Sequence, residues 1–392
     1  MRRDAETARR SPAFAIVAAA CRAAATGEGD FIDYPPPHPG GDAILAMAMR
    51  HRVSTPVLRI LARDPALDAD TATRLLELAR ERQLSALRLS SALVAVSQEL
   101  SKAGIRHLVL KGPALSQRLY DDLAARDCKD IDIFIDPAAR TPAEAAIADL
   151  GFRRTHTATT PGDPWRASLA PKDVSFRSRD GSIELELHDR LFDVAQLLPL
   201  SFDHFWSMHE TLAVAGTTLP ILSATDDFLY LCGHGALCGW FRLKWLQDIA
   251  RIFASGSPAA LAGFAEAADR LGVRPMTTSA ATLVEQIFGL PLSGAIGDAH
   301  SSASLRIVNR SREALAAPAA ASNAPSIPRL VRMLMMQLGL RRDWRYRREV
   351  LARALLSQSD VDMVKLPYFA RGLYYPLRPF LLALRRLRPK RS

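Results

Sequence analysis

The chain has 392 residues, of which 48% are hydrophobic and 23% are charged. This composition excludes an intrinsically disordered chain, a collagen-like repeat and a disulfide scaffold, and the four scattered cysteines indicate reduced thiols. At about 150 residues per domain, the length predicts two or three domains. The formal net charge of +10 suggests nucleic acid or an anionic membrane surface as candidate partners.

The excess positive charge belongs to the C-terminal segment. Between Arg329 and Arg391 the sequence contains 16 Lys and Arg residues but only four acids, a local net charge of +12, which leaves −2 for the rest of the chain. A groove for long nucleic acid needs positive charge spread along the main domains. We therefore expect no long nucleic acid as a partner.

The first predicted element has some features of a secretion signal. Arginines precede the apolar stretch Phe14–Cys21, but Asp4 and Glu6 lie among them and Arg22 interrupts the stretch after about eight residues. We favour an amphipathic first helix over a signal and expect a cytoplasmic protein. No run in the sequence approaches the roughly 18–20 apolar residues that a membrane-spanning helix needs.

The rest of the chain predicts an α+β fold, with a small mixed β-sheet between N-terminal and C-terminal helical regions. A helical stripe of Leu89, Leu93, Val96 and Leu100 ends at Gly104. Strands are then predicted at 105–110, 131–135, 174–177 and 183–187, and helices at 113–120 and 141–150. The predicted regions are an N-terminal helical region (1–103), a mixed-sheet domain (104–222), a second helical domain (223–315), and a linker with a basic tail (316–392).

Acidic side chains alternate along two of the predicted strands. Asp130 and Asp132 share one face of the first, and Glu184, Glu186 and His188 share one face of the second. If the strands are neighbours, an acid of the second could complete a three-carboxylate site for two Mg²⁺ ions, which clamp both oxygens of an in-line phosphoryl transfer. A solvated acidic face is the alternative that the pattern leaves open.

A turn upstream of these acids favours the functional interpretation. In Lys111-Gly112-Pro113, a strand passes into a helix. Glycine permits close approach of a ligand to the backbone, and proline suits the first turn of a helix. The free N–H groups of that turn and the lysine charge are typical of a phosphate-binding site.

These motifs resemble a bacterial nucleotidyltransferase family of the DNA polymerase β-like superfamily. The resemblance lies in HLVLKGPAL at 107–115, RDCKDID at 126–132, ELH at 186–188, CGHGALCGWFRLKWLQD at 232–248 and the stretch 362–379. It extends from about residue 43 onward. It implies a metal-dependent enzyme that transfers a nucleoside monophosphate from an NTP to a small-molecule, peptide or protein acceptor and releases pyrophosphate.

The resemblance also implies roles for individual residues. Asp130, Asp132 and Glu186 would be catalytic and would hold two Mg²⁺ ions, with Glu186 also helping to deprotonate the acceptor hydroxyl. The residues expected to bind the nucleotide are Lys111, Gly112, Pro113 and Arg126, and those expected on the acceptor side are His188, His234, Arg242 and Asp248. Pro113, in place of the usual Ser or Gly, and the 16 residues between it and Asp130 depart from the superfamily pattern.

The helical segment after the sheet contains further candidates. Cys232, His234 and Cys238 suggest zinc, but no further Cys/His pair nearby completes four ligands. Lys244 and Asp248 stand at i,i+4, a spacing typical of an exposed ion pair. Trp240 and Trp245 are predicted to pack in the core.

The basic tail and the overall function leave alternatives. Residues 367–391 mix aromatic residues with arginines, so they could contact an anionic membrane surface, although packing on the body is favoured. A catalytically silent nucleotide- or partner-binding protein of the same fold is the second functional hypothesis. A carboxylate nuclease is a third, which the near-neutral body disfavours.

Overall fold

The computed structural model describes residues 11–27, 39–155, 169–297, 299, 301–317 and 327–356, together with 361, 363–364, 366–374, 377 and 380. Within these described residues, four helices precede the first strand. They are α1 (Pro12–Thr26), α2 (Gly41–His51), α3 (Thr55–Leu61) and α4 (Ala69–Lys102). The predicted amphipathic first helix is present, and its apolar face is buried.

A seven-stranded mixed sheet forms the middle of the chain. In chain order, its strands and the described helices between them are β1 (His107–Val109), α5 (Gly112–Tyr120), β2 (Asp130–Ile135), α6 (Arg140–Asp149), β3 (Arg153–Arg154), β4 (Asp173–Arg177), β5 (Glu184–His188), α7 (Phe202–Ser207), β6 (Glu210–Val214) and β7 (Thr217–Ile221). The strand order is β3-β4-β5-β2-β1-β7-β6. The pairs β2–β5 and β1–β7 are parallel and the other neighbours are antiparallel.

Helices with described bounds also follow the sheet. They are α8 (Ala224–Cys238), α9 (Leu243–Ser255), α10 (Pro258–Leu271), α11 (Arg274–Phe288), α12 (Ser293–Ile296), α13 (Ser302–Ala316), α14 (Ile327–Gly339) and α15 (Trp344–Leu355). Short 3₁₀ helices occur at Pro137–Ala139, Ala195–Leu197 and Tyr368–Leu373. The predicted α+β class, with a mixed sheet and helical flanks, is confirmed.

The hairpin β6–β7 was missed by the sequence prediction. Its two-residue turn, Ala215-Gly216, has positive φ at both positions, 47° and 79°. Such a turn matches the twist of the flanking strands, and its usual sequence signal is Asn-Gly, Asp-Gly or Gly-Gly, which Ala215-Gly216 matches only at the glycine. The hairpin extends the sheet beyond β1, through the parallel contact between Val109 and Ile221.

Two hydrophobic clusters hold these layers together. The larger one joins the helices before the sheet to those after it, so the two predicted helical regions share one core. The smaller one packs the predicted stripe of Leu89, Leu93, Val96 and Leu100 on α4 against the sheet. All four cysteines are free, as expected, and the two tryptophans predicted in the core, Trp240 and Trp245, are buried.

Only part of the predicted tail can be placed. Tyr374 is buried in a small cluster with Leu356 and Val361, and its hydroxyl accepts a hydrogen bond from the Leu366 backbone N–H at 3.0 Å. Much of 367–391, including 381–391, lies outside the described residues. Among the described helices, none combines the length and the apolar character needed to cross a bilayer.

The end of α8 depends on close packing between a glycine and a tryptophan. Trp240 lies in the left-handed region with φ 49°, and its backbone N–H donates to the Gly235 carbonyl at 2.8 Å. Its ring lies against Gly235 so closely that a Cβ there would be 2.4 Å from ring carbons. A larger residue at 235 must therefore displace the buried indole.

We expect Gly235→Ala to lower the free energy of unfolding by about 1–3 kcal/mol, because it overpacks this contact. The matched control is Gly263→Ala in α10, where the added Cβ would meet no atom within 4 Å beyond the helix's own backbone and the adjacent residues. That change should instead be neutral or stabilising by up to about 1 kcal/mol, since alanine favours helix. Urea unfolding of both variants checks this, and equal effects would contradict it.

Candidate active site

The pairing of β2 with β5 brings the predicted acids together. The two strands are parallel, with Asp132 opposite Glu186, Asp130 opposite Glu184, and Phe134 opposite His188. Side chains of one strand alternate between the two faces of a sheet, so these polar groups share one face while Ile131, Ile133, Leu185 and Leu187 enter the core. The condition stated for the site, that the two strands are neighbours, is met, and the shared face is confirmed.

Asp132 is the centre of the cluster. It is only 2% exposed, and its Oδ1 lies 3.2 Å from Lys111 Nζ and 3.0 Å from His188 Nε2. Burial alone would raise the pKa of Asp132, but the charge of Lys111 and the hydrogen bond from His188 hold it well below the usual value. Asp132 is therefore ionised in the folded protein.

The contacts of His188 define which ring nitrogen carries the proton. Its Nδ1 lies 3.2 Å from Lys172 Nζ. A charged lysine can only donate, so Nδ1 accepts this hydrogen bond and the proton resides on Nε2. His188 therefore donates to Asp132 and orients that carboxylate, while its Nε2 lies 3.5 Å from Glu186 Oε2.

Lys172 and Asp173 complete the cluster, and the sequence prediction missed both. They form an ion pair with each other, and Lys172 Nζ is also 3.7 Å from Glu186 Oε2. Burial would lower the pKa of Lys172, but neighbouring groups, including Asp173, raise it above the usual value. The available signal was the alternation Asp173-x-Ser175, which the predicted strand omitted by starting one residue late.

The Lys111 turn is built around a glycine. Gly112 has φ +66°, and a Cβ there would lie 3.2 Å from the Asp130 carbonyl oxygen, so both conformation and space favour glycine. Pro113 follows in the first turn of α5. Burial would lower the pKa of Lys111, but the adjacent Asp132 carboxylate outweighs this and raises it. The turn thus presents a charged lysine to Asp132.

The cluster has the donors for a divalent cation. One ligand atom from each of Asp132, Glu186 and His188 lies within 4.8 Å of the others. Asp130, half-buried at the start of β2, has its pKa raised by burial and by the neighbouring Asp132 carboxylate. Carboxylate oxygens crowded in this way fit a hard cation. Because Nε2 of His188 bears a proton in this arrangement, the carboxylates are the better ligands.

Two residues predicted in different roles bind each other instead. Arg126 Nε donates to both carboxylate oxygens of Asp248, at 3.1 and 2.9 Å. Both side chains are buried, 6% and 2% exposed. The pair fixes α9 to the loop before β2, and it accounts for both side chains without a nucleotide or an acceptor.

His234, one of the acceptor-side candidates, borders the cluster from α8. The His234 ring centroid lies 5.3 Å from that of Trp245 and 6.3 Å from that of Tyr230. Burial and then the charge of Lys111 lower the pKa of His234, so it is uncharged. Tyr230 in turn lies over Lys111, whose Nζ is 5.5 Å from the ring centroid.

Arg242 and Lys244 belong to the start of α9. The Arg242 guanidinium lies 5.0 Å from the Phe241 ring centroid. Lys244 is buried, donates to the Asp127 carbonyl at 3.1 Å, and has its pKa lowered by burial to about 7. The prediction of an exposed Lys244–Asp248 ion pair was wrong, because both residues are buried and Asp248 pairs with Arg126.

We expect Asp248→Asn to cost about 3–5 kcal/mol of unfolding free energy, since it leaves the buried Arg126 charge uncompensated. Asp269→Asn is the control, because its 3.1 Å contact with Arg274 is half-exposed and such pairs contribute about 1 kcal/mol or less. Urea unfolding measures both. A stability loss at Asp248 no greater than at Asp269 would contradict a structural role.

Comparison with known proteins shows which protein family the chain resembles. A family model described as "Uncharacterised nucleotidyltransferase" matches residues 38–289. No curated protein matches significantly. Among solved structures, an antigenic nucleotidyltransferase-like protein from Paracoccidioides brasiliensis matches with 19% identity and a TM-score of 0.27, over 42% of this chain and 74% of that chain.

The assignment depends on the family model, because a TM-score this low carries no structural argument. The matched residues include all seven strands, the Lys111 turn and the carboxylates of β2 and β5. They also make up more than half of the chain. The chain therefore belongs to the family of uncharacterised nucleotidyltransferases.

Proposed function

We propose that this protein is a metal-dependent nucleotidyltransferase that transfers a nucleoside monophosphate from an NTP to a hydroxyl or phosphate of a small-molecule, peptide or protein acceptor. Pyrophosphate is the second product. The observation that carries the proposal is the position of Asp132 opposite Glu186 on adjacent parallel strands. The Lys111 ammonium lies 3.2 Å from the Asp132 carboxylate. Family membership makes this chemistry the natural use of that geometry.

The carboxylates of Asp130, Asp132 and Glu186 would hold two cations, which we expect to be Mg²⁺. When bound, these ions would neutralise triphosphate charge and stabilise the attacking and leaving oxygens at the phosphorus. His188 keeps Asp132 oriented through its Nε2 proton. Lys172, close to both His188 and Glu186, supplies positive charge beside the carboxylates.

The Lys111 turn would bind the triphosphate. Gly112 gives the turn its positive φ and its close approach to the Asp130 carbonyl, and the Lys111 ammonium offers charge-assisted hydrogen bonds. Pro113 has no N–H, so the side chain of Lys111 carries more of the recognition here than a backbone donor would. Arg126 acts on this region indirectly, because its bond to Asp248 fixes the loop that leads into β2.

The acceptor would approach from the helical side. Glu186 is the candidate to take the proton of an acceptor hydroxyl, since its carboxylate is half-exposed while Asp132 is buried. His234 is the wall residue that faces Lys111 and Tyr230, and Arg242 would attract an anionic acceptor from the start of α9.

We expect Asp130→Asn and Asp132→Asn each to reduce pyrophosphate release at least about a hundredfold, because loss of a residue that binds the metal directly should exceed the roughly 10–100-fold cost of losing a residue that only orients such a ligand. Glu184→Gln is the matched control. It lies on the same strand as Glu186, but it is exposed and pairs with Arg177. The assay supplies labelled NTPs and Mg²⁺ to the protein in cell extract and follows both pyrophosphate and label transfer. Full activity in the Asp132 variant would refute the proposal.

A silent nucleotide-binding protein is the second candidate, favoured by Pro113 and by the Lys111–Asp132 ion pair. Titration of ATP with and without Mg²⁺, beside the pyrophosphate assay, separates the two. For the enzyme we expect Mg²⁺-dependent binding that Lys111→Ala weakens about tenfold, together with turnover. Binding without any pyrophosphate from any of the four NTPs would instead establish the silent protein.

A further inference from the structure

A second concave site lies among the helices that follow the sheet. It is an open groove of about 810 Å³, bordered by the first residues of α11 and α13, the end of α14 and the start of α15. It shares no lining residue with the carboxylate cluster. Most of its wall comes from residues after 289, beyond the stretch that matches the family model.

Four arginines line this groove: Arg274, Arg306, Arg342 and Arg347. Asp269 is the one acid among the described lining residues, and it pairs with Arg274 at 3.1 Å. Within the described ranges, the other three arginines have no ion-pair partner. The described lining therefore has a net charge of +3 that nothing in it neutralises.

Two glycines allow two of these arginines to lie against the backbone. A Cβ at Gly297, where φ is +90°, would be 3.2 Å from Arg274 Nη2, and one at Gly339 would be 3.4 Å from Arg306 Nη2. A side chain at either position would crowd the guanidinium. The absence of a side chain thus lets both guanidinium groups settle at the groove wall.

The floor of the groove is polar and fixed. Ser304 is buried, and its hydroxyl lies 3.0 Å from Thr278 Oγ1 and 2.8 Å from Ser301 Oγ. Ser301 caps α13, whose first residues, Ser302 and Ala303, also line the groove. The first N–H groups of α13 have no partner within the helix and add donors beside the arginines.

We propose that this groove binds a small, multiply phosphorylated anion. Guanidinium groups bind phosphate oxygens with paired hydrogen bonds, and three of them without acid partners suit a ligand carrying several phosphate charges. The volume is in the range of small-ligand sites, about 300–1,000 Å³. This site is separate from the proposed catalytic function, and its charge is built into the chain rather than supplied by a metal.

The test is calorimetric titration of the full chain with sodium tripolyphosphate and, separately, with ATP, both in EDTA. Without divalent cations the carboxylate cluster repels these anions, so binding reports on the groove. We expect tripolyphosphate to bind, and the double variant Arg306→Gln/Arg342→Gln to bind it at least about tenfold more weakly, since charged hydrogen bonds are lost. Tighter binding of ATP would identify a nucleotide as the ligand, and equal binding would identify the phosphate chain alone.

One control makes the outcome decisive. Arg332→Gln removes an exposed arginine of α14 that does not line the groove, and it should leave binding unchanged. The groove shares no lining residue with the carboxylate cluster, so failure here is independent of failure at the catalytic site. If the double variant melts early, Arg347→Gln alone provides the same comparison. No binding in EDTA, or equal binding by wild type and the arginine variants, would overturn the proposal.

Discussion

The buried charge of Asp132 is the constraint on which the candidate site depends. A carboxylate removed from water is costly unless charged and hydrogen-bonded partners surround it, and Asp132 finds them in Lys111 and His188. Lys111 reaches it only because Gly112 turns the chain against the Asp130 carbonyl. His188 reaches it only because β5 pairs in parallel with β2 at one register. The ionised state of Asp132 therefore depends on both the Lys111 turn and the register of β5 against β2.

The same principle fixes this site against the helices. Arg126 and Asp127 are adjacent in the loop that enters β2, and each has a different partner. Arg126 pairs with Asp248 of α9, whereas Asp127 binds Arg52, just after α2, at 2.7 Å. Helices from before and after the sheet thus hold the loop from two sides. The geometry of the carboxylates is consequently tied to the core that both helical regions share.

The sequence predicts well which side chains of a single strand share a face. It predicts poorly which residues distant in sequence contact each other. Period-two alternation was enough to place Glu186 and His188 on one face. It could not show that Lys172 would reach His188, because that contact depends on where β4 pairs with β5. Nor could a motif show that Arg126 would form an ion pair with Asp248, which lies 122 residues away in the sequence. An arginine near a phosphate site and an arginine in a buried ion pair look alike in sequence.

The two charged regions of the molecule differ in how they can attract an anion. In the proposed function, the carboxylate cluster binds cations before a triphosphate approaches, so its affinity for the anion depends on the metal. The groove carries its own charge, with Arg342 and Arg347 contributed by the basic C-terminal segment. At 0.1 M ionic strength, salt screens the attraction of exposed guanidinium charges for anions at distances beyond about 10 Å. Metal should therefore control anion binding at the sheet, and salt should control it at the groove.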